Sequence, residues 1–156
     1  MTLRILAPVG GEVVAMAQVP DPVFAESIVG PGLAVNPNGQ CEVDALAPVA
    51  GTIAKFHPHA FVIVTEQGRG VLVHLGLDTV QLKGQGFTLH AAEQDTVTAG
   101  QRLVSWNPAQ VAEGGRSPVC PVIALEGEAQ ALSFAAEPGT TVAAGFGLQI
   151  NLDERL

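Results

Sequence analysis

The amino-acid sequence predicts an all-β fold, an antiparallel β-sandwich or barrel built from two similar motifs with at most one or two short helices. The 156 residues include 18 glycines and 11 prolines, and the apolar runs between them are short. Short apolar runs separated by turn residues are typical of many short strands rather than of long helices. Two pairs of similar segments also recur along the chain. A chain of this length fits one domain, so we expect residues 1–156 to form a single unit with its framework over about residues 6–151.

The repeated segments predict that each half of the fold contributes a similar strand-and-turn motif. LAPVGGEV at Leu6–Val13 returns as LAPVAGTI at Leu46–Ile53, with a proline that cannot donate to a strand ladder and a glycine that lets the chain bend. TVTAGQRL at Thr96–Leu103 returns as TVAAGFGL at Thr141–Leu148, with Ala-Gly at a tight turn. Two copies are too few for a solenoid but suit a sandwich or barrel. Chance similarity between short β segments is the alternative.

The individual strands are predicted from alternating or continuous apolar residues bounded by glycine and proline. In chain order they are Glu12–Ala17, Gly32–Pro37, Cys41–Leu46, Gly51–Phe56, Ala60–Thr65, Gly70–Leu75, Phe87–Leu89, Arg102–Trp106, Pro118–Leu125 and Gly147–Asn151. The segment PAQVAEGG, Pro108–Gly115, predicts one short helix that ends at Gly-Gly.

The composition excludes several classes of function. The net charge of −8 argues against nucleic-acid binding, because a phosphate backbone needs a basic surface. No window approaches roughly 18 uninterrupted apolar residues, so we expect no direct membrane insertion. The start, MTLRILAPVGGEVV, lacks the sustained apolar core of a signal peptide. Cys41 and Cys120 are therefore expected to be reduced, mostly buried thiols in a cytoplasmic protein.

Three of the four histidines lie in one segment, HPHAFVIVTEQGRGVLVHLG, which predicts a β-hairpin. A turn centred on Gln67–Gly68 would make Phe61 face His74. His59 and His74 would then project from the same face as diagonal neighbours, close enough for their rings to meet. A slip of one residue would place them on opposite faces. Three interpretations of such a pair stay open: a hydrogen-bonded structural pair, a metal site, or a nucleophilic imidazole with a helper.

The residues that follow the hairpin resemble a known signature. VHLGLDTVQLKGQGF, Val73–Phe87, is similar to the phosphorylation-site signature of the glucose-type enzyme IIA component of the bacterial phosphoenolpyruvate-dependent sugar phosphotransferase system. HAF at His59–Phe61 matches the second histidine of that family, and VPDPVFAESIVGPGLAV at Val19–Val35 resembles its long surface loop. LAPVAGTI and AGQRLVSW are similar to its framework strands. The resemblance covers about Leu6 to Asn151.

The resemblance implies a phosphocarrier, with one IIA phosphocarrier domain over residues 1–156. The phosphocarrier HPr would donate a phosphoryl group, and the IIB domain of a permease for glucose- or N-acetylglucosamine-type sugars would accept it on a cysteine. His74 would be phosphorylated on Nε2, His59 would donate a hydrogen bond to the phosphoryl group, and the Gly76 carbonyl would orient His74. The chain has no nucleotide-binding glycine loop, and we expect no cofactor. A regulatory binding module that senses phosphorylation state, with its own protein targets, is a compatible alternative.

The resemblance also implies a partner-binding rim. Its matching residues are Asp21, Pro22, Val23, Phe24, Val29, Phe56, Leu72, Asp78 and Val80. The two aspartates match acidic positions that meet an arginine of HPr, and ordinary loop capping is the alternative for them. Ordinary core or loop packing is the alternative for the apolar residues. His57 stands where better-known members carry a threonine that helps to hold the second histidine, and His57 is expected to orient His59 or to face solvent.

Two other classes of protein compete with this interpretation. The motif His57-Pro-His59 could belong to a zinc metalloenzyme, but the upstream His-x-x-x-Asp of related peptidases is missing. A biotinyl or lipoyl carrier needs a lysine at a hairpin tip, where EQGRG has only Arg69. His59 and His74 are two ligands where zinc prefers about four, so we expect no metal in the isolated protein. An external ligand would be needed to complete such a site. His90 lies outside the signature and is expected to have a surface role.

Overall fold

The computed structural model describes residues 4–21, 32–37, 40–125 and 136–149. Its strands are β1 (Ile5–Leu6), β2 (Gly11–Ala15), β3 (Gly32–Asn36), β4 (Val43–Leu46), β5 (Gly51–His57), β6 (Ala60–Val64), β7 (Gly70–His74), β8 (Thr88–Leu89), β9 (Thr96–Val97), β10 (Arg102–Trp106), β11 (Cys120–Ala124), β12 (Thr141–Val142) and β13 (Gly147–Gln149). The α-helix found in these ranges, α1, spans Pro108–Glu113, and short 3₁₀ helices span Met16–Gln18 and Thr79–Leu82.

The strands form three open sheets in which every described pairing is antiparallel. The largest sheet has eight strands in the order β12-β2-β3-β11-β7-β6-β5-β9. A second sheet has the order β4-β10-β8, and β1 pairs with β13. The predicted all-β class with at most one or two short helices is confirmed. None of the described helices is long and apolar enough to cross a membrane.

One hydrophobic core joins all three sheets, which makes the fold a sandwich. The largest fully buried side chains include Ile53, Phe61 and Ile63 of the eight-stranded sheet and Leu103 and Trp106 of β10. Ile5 of β1 and Leu148 of β13 belong to the same cluster. Burial of aromatic and branched side chains from several layers supplies the main driving force for folding. Cys120 is buried and free, whereas Cys41 is free but exposed, so the expectation of two mostly buried thiols is wrong for Cys41.

Equivalent hydrogen bonds relate the two halves of the chain by an approximate two-fold axis. The Leu6 N–H donates to the Pro48 carbonyl over 2.9 Å, and the Leu46 N–H donates to the Pro8 carbonyl over the same distance. Ala7 and Ala47 likewise donate to Phe146 and Gln101 at 2.7 and 2.8 Å. The order of the eight-stranded sheet repeats this symmetry, because β12, β2, β3 and β11 correspond to β9, β5, β6 and β7. The repeated sequences therefore form equivalent parts of the fold.

The strand predictions hold, with a few differences at their ends. Every predicted strand has an observed counterpart whose described ends lie within two residues of the prediction. The last two residues predicted for the final strand, 150 and 151, lie outside the described part of the chain. The strands that were not predicted are β1, β9 and β12, each two residues long. Two residues are too few to show the alternation on which a strand prediction depends.

The register of the β6–β7 hairpin differs from the prediction by one residue. Ala60, and not Phe61, faces His74, and Phe61 faces Val73. The loop contains three residues, Glu66–Gly68, because the Gly68 N–H donates to the Thr65 carbonyl and Thr65 N–H donates to Arg69. Gly68 follows this turn with φ +86°, the arrangement that three-residue hairpin loops favour. The prediction assumed a two-residue loop. The observed three-residue loop shifts the facing residues by one position.

The two-fold symmetry relates two turns that carry different residues at the same position, so the cost of a side chain in that backbone conformation can be tested. Gln94 and Gly139 occupy equivalent turns, since their N–H groups donate to the matched residues Ile53 and Val13. Both have positive φ, +75° at Gln94 and +92° at Gly139. A Cβ at Gly139 would have nothing within 4 Å, so replacing this glycine changes the backbone preference without a clash.

We expect opposite effects from exchanging these two residues. Gly139→Gln should lower the free energy of unfolding by about 0.5–1 kcal/mol, because the left-handed conformation costs a side chain roughly 1–2 kcal/mol and the lower entropy of the unfolded chain offsets part of this cost. Gln94→Gly should raise it by up to a similar amount, since the relief of strain exceeds the added entropy of the unfolded chain. Chemical denaturation of both variants and the parent measures this. A shift in the same direction for both variants would contradict the proposed equivalence.

Candidate functional site

Three histidines meet where the β5–β6 hairpin approaches the end of β7. His57 ends β5 and pairs with Ala60, so Pro58 and His59 form the two-residue turn between the strands. Ala60 also pairs with His74, the last residue of β7. The Leu75 N–H donates to the His59 carbonyl over 2.7 Å. The turn is thereby fixed beside His74.

The three imidazole rings form a row. The ring centroids of His59 and His74 are 5.2 Å apart, with the planes inclined by 65°. His57 stacks on the other side of His59, with centroids 5.6 Å apart and planes inclined by 23°. The expected meeting of His59 and His74 is found, although the register on which it was based is wrong. Because His59 lies in a turn, its side chain does not follow the alternation of β6.

A hydrogen bond to Gly76 fixes the orientation and the tautomer of His74. The His74 Nδ1 lies 2.5 Å from the Gly76 carbonyl oxygen. A carbonyl oxygen only accepts, so Nδ1 must carry the proton. In the neutral ring the lone pair then resides on Nε2, and nucleophilic attack or metal binding by this ring would use that atom.

Burial keeps His59 and His74 neutral at neutral pH. The partly buried position of His59, followed by the proximity of His74 and His57, lowers its pKa from 6.5 to about 4. Burial also lowers the pKa of His74, against the opposing effects of the Gly76 carbonyl, Asp21 and Asp78. As pH falls below about 6.5, the unfolded chain takes up protons that these folded imidazoles resist. The two histidines therefore make the fold less stable as the solution becomes acidic.

The backbone at Gly76 accommodates no side chain. Gly76 has φ +77°, and a Cβ there would lie 2.8 Å from Thr79 Cγ2 and 3.0 Å from the Ser117 carbonyl oxygen. The Ser117 carbonyl accepts from the Leu77 N–H over 2.8 Å, and the Thr79 hydroxyl donates to the Leu75 carbonyl over 2.7 Å. These contacts hold the loop that presents the Gly76 carbonyl to His74.

Thr79, Ser117 and Cys120 are the supporting residues that sequence reasoning missed. Thr79 is fully buried, and its place inside the run LGLDTV was the available signal. Ser117 comes from the distant segment before β11, and nothing local in the sequence links it to Gly76. Cys120 lies behind Gly76, and burial raises the pKa of its thiol to about 12 while the Gly76 backbone opposes this. Its thiol therefore stays protonated and is a packing group, not a nucleophile.

The described members of the predicted rim have different environments. Asp21 and Asp78 both act electrostatically on His74, and Asp78 is exposed in a left-handed conformation with φ +58°. Val80 is 58% exposed. Phe56 and Leu72 are half-buried against the two hydrophobic clusters. The remaining predicted rim residues, Pro22, Val23, Phe24 and Val29, lie outside the described residues.

The geometry does not support the two competing protein classes. Within the described ranges, no group of three or more His, Cys, Asp or Glu side chains is arranged to hold a metal ion. The β6–β7 hairpin tip, Glu66–Gly68, contains no lysine for a biotinyl or lipoyl group. His90 lies apart from the row. Its Nε2 is 2.7 Å from the Ser105 hydroxyl oxygen, and this hydroxyl donates to Asp44. His90 therefore donates to a half-buried serine and does not activate it.

Comparisons with known proteins give a consistent result. A family model described as "phosphoenolpyruvate-dependent sugar phosphotransferase system, EIIA 1" matches residues 3–130. The chain is 38% identical over 124 residues to the glucose-specific EIIA component of Oceanobacillus iheyensis, covering 78% of this chain and 73% of the relative. It is 42% identical over 121 residues to that of Halalkalibacterium halodurans, covering 76% and 68%.

A larger relative and a solved structure add to these matches. The chain is 44% identical over 132 residues to the glucose-specific EIICBA component of Streptococcus pneumoniae, covering 83% of this chain but only 18% of that relative. The structure of glucose permease IIA from Mycoplasma capricolum superposes with a TM-score of 0.86 at 35% identity, covering 96% of each chain. The family match, the EIIA relatives and this shared fold agree. The chain belongs to the EIIA 1 family of the phosphoenolpyruvate-dependent sugar phosphotransferase system.

Proposed function

We propose that this protein accepts a phosphoryl group from phospho-HPr on Nε2 of His74 and passes it to the cysteine of a permease IIB domain. The observation that carries the proposal is the hydrogen bond from Nδ1 of His74 to Gly76, which assigns the lone pair to Nε2 in a ring whose centroid is 5.2 Å from that of His59. The glucose-specific names of the relatives favour a glucose-type permease. The name EIICBA, which joins B and C components to an A component, supports a IIB domain as acceptor.

In the acceptance step, the Nε2 lone pair of His74 attacks the phosphorus of phospho-HPr. An N–P bond to His74 forms while the N–P bond of the donor breaks, and the donor imidazole leaves with the electron pair. The proton on Nδ1 remains, held by the Gly76 carbonyl, so the phosphorylated ring is cationic. Phosphoryl transfer passes through a loose, in-line transition state, for which positioning and charge stabilisation supply most of the catalysis.

In the second step, the cysteine thiolate of the IIB domain attacks the same phosphorus. An S–P bond forms, the N–P bond breaks, and His74 leaves as the neutral imidazole with its original tautomer. A neutral leaving group favours this step, because no negative charge develops on the ring. We propose that His59 donates a hydrogen bond to the phosphoryl oxygens in both steps, since its ring centroid is 5.2 Å from that of His74.

His57 and the rim complete the proposed site. His57 stacks on His59, and we propose that this contact orients His59 in place of the threonine of better-known members. Asp21 and Asp78 are proposed to meet a basic group of HPr, with Val80, Phe56 and Leu72 as the apolar contacts. A modest patch with few charges suits a complex that must dissociate after each transfer. By resemblance, Pro22, Val23, Phe24 and Val29 extend this rim of a single, cytoplasmic phosphocarrier domain.

His74→Ala tests the proposed nucleophile. We expect the parent protein to take up one acid-labile, base-stable phosphate when incubated with phosphoenolpyruvate, enzyme I and HPr. His74→Ala should take up none, because no other described imidazole is held by a backbone carbonyl in this way. The matched control is His90→Ala, which removes an imidazole outside the row and should be phosphorylated like the parent. If His74→Ala is phosphorylated as fully as the parent, the assignment of His74 as the nucleophile is wrong.

His59→Gln tests the proposed hydrogen-bond donor. The amide keeps one donor, so the variant should still accept a phosphoryl group, but an amide cannot take up a proton beside the negatively charged phosphoryl group as an imidazole can. We expect transfer from the variant to the IIB domain to slow by about 100- to 1,000-fold, the range found when an interaction that stabilises the transition state is lost. His90→Gln is the matched control in single-turnover measurements. Transfer at the parental rate would exclude His59 from the chemistry.

Zinc provides an independent probe of the same nitrogen. His59 and His74 offer two imidazole ligands, so we propose that the isolated protein holds no tightly bound zinc and that zinc binds only when an external carboxylate completes the site. Added zinc should then slow phosphorylation, because it occupies the Nε2 lone pair of His74. Metal analysis of purified protein and phosphorylation with and without added zinc measure both effects. Stoichiometric zinc in the isolated monomer would contradict this expectation.

A further inference from the structure

A cleft lies between the loop after β7 and helix α1. It has a volume of about 210 Å³. Apolar walls come from Leu82, Phe87 and Val111, and polar groups come from Gln85, Gln110 and Arg116. For comparison, an apolar cavity of about 150 Å³ is large enough to bind benzene. The cleft is therefore large enough for a ring or a short branched chain with one polar group.

The apolar side of the cleft is firmly held. The ring of Phe87 stacks on Trp106, with centroids 5.9 Å apart and planes inclined by only 8°, and Trp106 is fully buried. Val111 is almost completely buried as well. An apolar surface that is already in place needs little ordering when a ligand binds, which favours affinity.

Charge selects the kind of ligand. Among the described residues, those that line the cleft include Arg116 and no acidic side chain. The guanidinium donates from Nε and from one terminal nitrogen to the neutral Gln81 side-chain oxygen, at 3.3 and 3.1 Å. The other terminal nitrogen lies near Gly114, which also lines the cleft. It is 3.4 Å from the position that a Cβ on this glycine would occupy. Guanidinium groups bind carboxylates more strongly than amides, often through two parallel hydrogen bonds.

We propose that this cleft binds a small monocarboxylate with an apolar body, and that occupancy acts on the loop that carries Gly76. The carboxylate binds Arg116, and the apolar body rests on Phe87, Leu82 and Val111. Val111 also reaches toward the site, because its Cγ1 lies 3.5 Å from the position of a Cβ on Gly76. Gln81, the present partner of Arg116, belongs to the 3₁₀ helix Thr79–Leu82 together with the exposed Val80. The effect on phosphoryl transfer rests on the proposed function, whereas the binding does not.

Binding is tested on the unphosphorylated protein with benzoate as the probe. We expect benzoate to cause saturable shifts in the amide NMR signals of Gln85, Gly86 and Val111. Benzamide, which lacks the charge, and acetate, which lacks the apolar body, should each bind at least tenfold more weakly. Arg116→Gln should weaken benzoate binding at least tenfold. The matched control Arg102→Gln, an exposed arginine on β10, should leave binding unchanged. Absence of saturable shifts, or equal binding of benzoate and benzamide, would overturn the site.

Coupling is tested by the initial rate of phosphate uptake from phospho-HPr. Saturating benzoate should change this rate at least twofold in the parent and in Arg102→Gln, and should have no effect on Arg116→Gln. Benzoate that binds without changing the rate in the parent would overturn the coupling. A parent protein that takes up no phosphate even without benzoate would instead contradict the proposed function, and the NMR titration would still decide whether the cleft binds carboxylates.

Discussion

Packing of the β6–β7 pair, with one face buried in the main core and the other partly covered, is the constraint on which the histidine site depends. Phe61, Ile63, Val71 and Val73 point into the main core, whereas Leu72 packs against the second cluster on the other face. A slip of one residue would exchange these two faces, so the register is strongly specified. That register places Ala60 opposite His74 and the preceding turn beside it. The imidazole row is thus a consequence of core packing and not of contacts between the histidines themselves.

The sequence was sufficient to predict much of the fold because its strands are bounded by glycine and proline and its repeats are readable. It was also sufficient to predict that His59 and His74 meet, although the strand register used for that prediction was wrong. The difference lies in the loop at Glu66–Gly68, where both a two-residue and a three-residue turn are compatible with glycine. Ser117 supports Gly76 from a segment about 40 residues away in the chain, and no local pattern reports such a contact.

The acidic surroundings of His74 suit a carrier that must give up what it accepts. Asp21 and Asp78 raise the pKa of the ring against the effect of burial, and the whole chain has a net charge of −8. Under the proposed function, the same negative charges repel a phosphoryl group on Nε2. Repulsion raises the free energy of the phosphorylated state and therefore favours onward transfer. A strongly basic pocket would hold the group more tightly and release it more slowly.

The hydrogen bonds exchanged by Leu6 with Pro48 and by Leu46 with Pro8 are those expected between the two copies of a symmetric homodimer. The fold therefore has the geometry of such a dimer joined into one polypeptide. Because the two halves belong to one polypeptide, they do not need to have the same sequence, as the subunits of a homodimer do. Val122 faces Val73 at the centre of the large sheet, so Ile123 occupies the place that corresponds to His74. Ile123 is fully buried in the second cluster, which means that one half has become a scaffold and the other carries the only imidazole at this position.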